Sequence, residues 1–192
     1  MFLDLLAVAA IPSTIGTVTG TGEAIHSENQ EKREAALTTE CNLVSFCETE
    51  PELHGKQIVL RDEKVFLETA SAASGLPFSG FYVSYPVEPK HMGLVSMISH
   101  DPPAMGWIYA NKDTLELKYG NKTASCQHIY GPWDFTEDEV GVVLEGEELF
   151  VAVEEAKGVW ALYYDRQGDE QPALPSGKRV VEISVERKPK PK

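Results

Sequence analysis

Residues 151–164 read Val151-Ala-Val-Glu-Glu-Ala-Lys-Gly-Val-Trp-Ala-Leu-Tyr-Tyr164. Two runs rich in β-branched and aromatic residues flank Lys157-Gly158, and glycine takes the positive φ that a tight reversal needs, so the stretch predicts a β-hairpin. The same pattern recurs outward from it. Arg61-Asp62-Glu63 separates Ile58-Val59-Leu60 from Val65-Phe66-Leu67, and Asn111-Lys112-Asp113 separates Trp107-Ile108-Tyr109 from Leu115-Glu116-Leu117. Period-two runs fall at 41–47, 56–61, 64–69, 79–85, 93–99, 106–111, 114–120, 141–145, 149–155, 158–164 and 179–187. Gly and Pro punctuate the intervals. The expected fold is mainly β, an antiparallel β-barrel or sandwich of about ten strands with an N-terminal helical segment.

Two arms look alike, Gly106-Trp-Ile-Tyr and Gly158-Val-Trp-Ala-Leu-Tyr-Tyr. They read as two interior strands obeying one packing rule, with an internal pseudo-repeat as the alternative. The strand-rich part is expected over 41–187. Ahead of it, 1–40 holds an apolar segment and a polar helix, and behind it 188–192 forms a basic, solvated tail. The segment 2–18 carries no Lys or Arg, contains Asp4, and is broken by Pro12 and Gly16. It therefore makes a poor secretory signal and is short of the ~20 residues that span a bilayer. A docking helix, available as a homo-oligomer contact, fits better than membrane contact. Residues 20–25 read as a flexible Gly/Thr stretch, and His26–Thr39 as a helix with Ser27 as its N-cap. Asp134–Glu139 is at most a short helical turn.

The net charge of −13 is unevenly spread: from Lys178 onward six Lys/Arg face two Glu, a net of +4, which leaves −17 on the body. Such a body repels phosphate backbones, which excludes nucleic acid as a non-specific partner. Cys41, Cys47 and Cys126 are too few for a disulfide framework, and Cys41 and Cys47 on one extended strand would lie ~20 Å apart. Three free, mostly buried thiols in a reducing, cytoplasmic setting is the expectation, with secretion as the alternative; the sequon Asn121-Lys-Thr supports secretion only weakly. No Cys/His cluster with metal spacing, P-loop, G-x-S-x-G or dinucleotide fingerprint occurs, so neither metal nor cofactor is expected.

His100-Asp101-Pro102-Pro103, at the end of an apolar strand, is the first candidate for acid–base chemistry, and its bland reading is a strand cap and turn. His128 stands two residues from Cys126 and is the third catalytic candidate. Tyr85, Trp107, Tyr109, Tyr119, Trp133, Trp160 and Tyr164 would line the pocket of a barrel, or else fill its core. The expected partner is a small apolar or aromatic molecule. Asp165-Arg-Gln-Gly-Asp169-Glu170 lacks the calcium-loop pattern and reads as an acidic surface turn.

The chain resembles a group of small uncharacterised proteins of filamentous (ascomycete) fungi over about residues 1–187. The likeness rests on Ala7-Val-Ala-Ala-Ile-Pro-Ser-Thr-Ile-Gly16, Ile58-Val-Leu-Arg-Asp62, Gly93-Leu-Val-Ser-Met-Ile-Ser-His-Asp-Pro-Pro103, Trp107-Ile-Tyr109, Leu117-Lys-Tyr-Gly-Asn121, Gly131-Pro-Trp-Asp134 and Trp160-Ala-Leu-Tyr-Tyr-Asp-Arg166. The group carries a longer acidic run after Asp165, interrupted here by Gln167 and Gly168. Some proteins of this kind act in natural-product pathways. The resemblance therefore implies a cofactor-free cyclase of Diels–Alder or hetero-Diels–Alder type, which would hold its substrate in a near-attack pose. The rival expectation is a non-catalytic interaction or structural protein.

Overall fold

The three hairpins expected from sequence all form. They are β2 (Gln57–Arg61) with β3 (Lys64–Glu68), β7 (Pro103–Ala110) with β8 (Leu117–Gly120), and β11 (Phe150–Ala156) with β12 (Val159–Tyr164). A computed structural model describes residues 19–71, 74–166 and 174–190, with the side chains of 19–27 outside that description. The apolar segment 2–18 and the acidic residues Asp169 and Glu170 lie outside the described residues. The chain divides into two units, 1–34 and 35–192; every strand belongs to the second.

The remaining strands are β1 (Cys41–Phe46), β4 (Leu76–Pro77), β5 (Gly80–Ser84), β6 (Met92–His100), β9 (Trp133–Phe135), β10 (Val142–Leu144) and β13 (Val180–Pro189). An antiparallel circuit closes through nine of them, in the order β1–β5–β6–β7–β8–β3–β12–β11–β13 and back to β1. Barrel, not sandwich, is thus the form taken. β2 and β4 extend it, and β9 pairs with β10 as a separate ribbon. That ribbon meets β13 at the bridge Gly141↔Glu186, where the Arg187 amide donates to the Val140 carbonyl at 2.7 Å.

The three hairpins also meet one another. Trp160↔Leu67 joins β12 to β3, Lys64↔Lys118 joins β3 to β8, and Glu116↔Tyr163 joins the second hairpin to β12. The chain therefore runs as three successive units of strand, hairpin and strand: β1 to β5, β6 to β9, and β10 to β13. The core repeats with it. Leu43, Ile58, Val65 and Phe78 come from the first unit, Leu94, Ile108, Leu117 and Trp133 from the second, and Val142, Phe150, Leu162 and Val185 from the third. Eleven of these twelve lie on strands, where period-two alternation turns them inward, and Phe78 lies between β4 and β5. The similar Trp107 and Trp160 arms are not equivalent in this scheme. One is the first arm of its hairpin and the other the second, and Trp160 is buried in the core while Trp107 is half-buried outside it, so the two arms share neither position nor packing.

Several local expectations change. Helix α1 spans Thr19–Thr38, taking in the Gly/Thr stretch and placing Ser27 inside it, so Ser27 is not the N-cap. Two glycines cost a helix only about 1 kcal/mol each relative to alanine, which the Glu/Lys/Ala-rich remainder offsets. Residues 122–125 form a short helix α2 (Lys122–Ser125), and the sequon residue Asn121 is its N-cap, accepting from the Ala124 amide at 2.9 Å. Trp133–Phe135 is a strand rather than the start of a turn of helix. β13 continues through Lys188 and Pro189, paired with Asn42 and Cys41, and Lys190 Nζ lies 2.7 Å from Glu40. The start of the basic tail is thus ordered by β1 and its flanking carboxylate. No described helix is long and apolar enough to cross a membrane.

Candidate functional site

The barrel interior is full. The space enclosed by the twelve repeating core side chains is about 10 Å³, hardly one water's worth. Trp133, Trp160 and Tyr164 are each 1% exposed and belong to that packing. Trp133 Nε1 donates to the Ile108 carbonyl at 3.2 Å, and the Tyr164 hydroxyl to the Leu144 carbonyl at 2.8 Å. These three aromatics therefore do not line a ligand cavity. The polar tips of Trp133 and Tyr164 are satisfied by backbone, and the Arg179 guanidinium lies over the Trp160 ring at 5.1 Å.

The other candidates are scattered. His100 and Asp101 are exposed at the tip of the β6–β7 hairpin, where His100 pairs with Pro103. Val95, the partner of Trp107, precedes His100 by five residues, about 15 Å along a strand. His128 is half-buried, stacked on Tyr109 at 5.2 Å with the rings 7° apart, and its Nδ1 accepts the Lys112 amide at 3.4 Å. It holds a turn. Tyr119 lies half-buried at the margin of the main core. Only Tyr85 and Trp107 come together as an aromatic group, edge to face at 4.6 Å, with Tyr130 stacked on Tyr85 at 4.0 Å. Tyr85 is itself buried, its hydroxyl 2.8 Å from Ser125 Oγ, and burial pushes that phenol up despite the Ser125 bond. The proposed catalytic residues and the aromatic candidates do not converge on one site.

A large concavity lies elsewhere, on the outer face where β13 runs between β1 and β11. It is an open groove of about 700 Å³. Alternation along β13 turns Val181, Ile183 and Val185 into the core and leaves Val180, Glu182 and Ser184 outward. Phe46 to Glu50 form one wall, and Glu148 to Val151 the other. Asp165, one residue past β12, completes it.

Asp165 is the feature least expected from sequence. Read as part of an exposed acidic turn, it is in fact 9% exposed, held by its amide donating to the Leu149 carbonyl at 2.8 Å. Its Oδ1 is buried and has no hydrogen-bond partner. Glu48, Glu50, Glu148 and Glu182 also line the groove. Glu50 is paired with Arg179 at 2.6 Å. The Glu148 carboxyl is pushed above its ordinary value, chiefly by burial and secondarily by Asp138. The lining includes no Lys or Arg. Among the described residues no three His, Cys, Asp or Glu are grouped so as to hold a metal ion. Hairpin pairing places Asp165 against Leu149, but a sequence pattern could not single it out, because the groove it lines is completed by residues 46–50 and β13 from distant parts of the chain.

A barrel closed by three hairpins, built from three successive units of strand, hairpin and strand that each contribute four residues to one shared core layer, defines a β-trefoil. The chain belongs to the fungal beta-trefoil domain family, whose match covers residues 16–191. Neither the curated proteins nor the solved structures provide a match.

Proposed function

We propose that the chain is a non-catalytic binding domain that takes its ligand on the outside of the barrel, in the groove between β1, β11 and β13. The observation that carries this reading is Asp165, a buried carboxyl with an unpartnered oxygen, in the wall of that groove. Leaving a buried polar atom without a hydrogen-bond partner is costly, and a ligand's donor in the groove would offset that cost. The aromatic candidates support packing instead. A natural-product cyclase working within the barrel has no support, since pre-organising a polyene takes a pocket of about 300 Å³ or more and the interior offers about 10 Å³.

The test is a two-dimensional amide NMR titration of the full chain with indole and with a panel of basic, acidic and uncharged short peptides. Saturable shifts from a peptide confined to Phe46–Glu50, Glu148–Val151 and Val180–Ser184 are expected. Saturable shifts from indole at Leu94, Ile108 and Leu162 would place the site inside the barrel and overturn the reading, as would a panel in which no peptide binds.

A further inference from the structure

We propose that this groove accepts the guanidinium or ammonium group of a basic polypeptide segment, with Asp165 as its counter-ion; the inference rests on the binding-domain reading and names its ligand. Glu48, Glu148, Glu182 and Asp165 line the groove and make no ion pair among the described residues. A cation is the ligand that relieves both the unpartnered Oδ1 of Asp165 and the mutual repulsion of its neighbours. A neutral polyol would meet one need and not the other. A divalent ion is disfavoured because the described carboxylates are too dispersed to chelate it.

The groove's apolar surface points to a side chain rather than a bare cation. Phe46, Leu149, Val151 and Val180 sit beside the carboxylates. The aliphatic stem of Arg or Lys can lie along such surface while its head reaches the charge. The length of the groove supports an extended segment: Val180 to Ser184 line it in succession, about 13 Å of strand, enough for several residues. The net charge of −13 would draw a basic partner in from a distance.

The experiment is fluorescence anisotropy with a labelled Ser-Leu-Arg-Leu-Lys-Ser peptide. A matched peptide with citrulline and norleucine replacing Arg and Lys serves as the uncharged control, and n-butylguanidinium as the free cation. Asp165→Asn should weaken binding of the basic peptide on the order of tenfold or more, while preserving or raising the thermal midpoint, because the Oδ1 it replaces makes no hydrogen bond in the fold. Glu88→Gln, on the exposed side of another unit, should change affinity less than about twofold. Equal affinity of the uncharged peptide would overturn the cationic assignment and leave the binding domain standing. Full competition by n-butylguanidinium at the peptide's own concentration would overturn the polypeptide. Unchanged binding by Asp165→Asn would remove Asp165 from the site. Should Asp165→Asn fail to fold, Glu148→Gln is read instead: it must weaken the basic peptide and not the uncharged one, or the proposal fails.

Discussion

Lys64 on β3 lies 2.7 Å from Glu116, so that a cation of the first hairpin is held by a carboxylate of the second. The same ammonium reaches Glu155 of β11 at 2.8 Å, and the Tyr163 hydroxyl lies 2.9 Å from Glu155 and 3.2 Å from Glu116. All three hairpins thus share one half-buried polar knot where their strands converge. Burial alone would raise Glu116, yet the bonds from Lys64 and Tyr163 outweigh it and hold the carboxyl below its ordinary value. Burial would lower Lys64, and the two glutamates more than reverse that. Tyr163 is raised well above an ordinary phenol, first by burial and then by its bond to Glu155.

Lys64→Met should destabilise the fold by about 1–3 kcal/mol at neutral pH, because it leaves two partly buried carboxylates facing each other. The pH dependence carries the sign. In the native chain the depressed Glu116 stabilises fully above its ordinary value near 4.5 and loses that contribution as pH falls below it. The raised Lys64 stabilises fully below its ordinary value near 10.5 and loses that contribution as pH climbs past it. In Lys64→Met the carboxylates repel, their affinity for protons rises, and acidification from pH 7 to 5 should raise stability. Urea denaturation across that range checks it, and a variant that loses stability on acidification would contradict it.

Arg187 is 3% exposed and donates to two carbonyls, Glu139 at 3.0 Å and Ala36 at 2.8 Å. Its guanidinium lies 4.2 Å from the Phe135 ring centroid and 5.4 Å from that of Tyr82. The Ala36 carbonyl is among the last of α1, where a cation also meets the negative end of the helix dipole. Arg187→Met should cost about 1–3 kcal/mol, since two part-buried carbonyls lose a charged donor. Limited proteolysis should then cut sooner at residues 35–39 than in the native chain. A midpoint within experimental error of the native one would show that the carbonyls find other partners.

The architecture was legible because β-hairpins announce themselves locally. Lys157-Gly158 and Asp62-Glu63 mark reversals whatever lies around them. The threefold repeat was hidden because it is carried by single inward residues, such as Leu43, Leu94 and Val142, set in strands that otherwise share little. Aromatic candidates misled for a related reason: pattern shows that Trp133 and Trp160 are large and regularly placed, but only packing decides whether they face a void or each other. The groove was illegible because Phe46, Glu148, Asp165 and Ser184 come from four separate segments.

Thiol chemistry separates the three cysteines. Cys41 and Cys47 are buried and Cys126 is exposed, so the expectation of mostly buried free thiols holds for two of them. Burial pushes the Cys41 thiol up, and Arg187 only partly offsets this. An aromatic disulfide reagent should therefore modify Cys126 alone in the native chain and all three in denaturant. Two rapidly reacting thiols in native buffer would contradict the burial.

The β2–β3 turn carries strain that sequence can relieve. Asp62 and Glu63 both adopt positive φ, 49° and 61°, between the paired residues Arg61 and Lys64. A two-residue reversal of this kind favours Asn-Gly. Asp62→Asn with Glu63→Gly should raise stability by about 1 kcal/mol, because the side-chain clash of the left-handed region is removed at the second position. The Glu63 carbonyl still accepts the Tyr119 amide, so the link to β8 is retained. A lower midpoint in the double variant would mean that the acidic side chains contribute more than the strain costs.

Trp133 and His100 allow packing and chemistry to be told apart. Trp133→Phe keeps a ring within the barrel but loses the indole donor to Ile108. The cost should be about 1–3 kcal/mol from the unsatisfied carbonyl together with the volume lost. His100→Ala alters an exposed hairpin tip and should stay within about 0.5 kcal/mol. Neither should weaken binding of the basic peptide, because neither residue lines the groove of Phe46, Glu148, Asp165 and Ser184. Should either reduce affinity while the chain remains folded at the assay temperature, the ligand would reach beyond that face of the barrel, and Trp133 or His100 would return as part of the site.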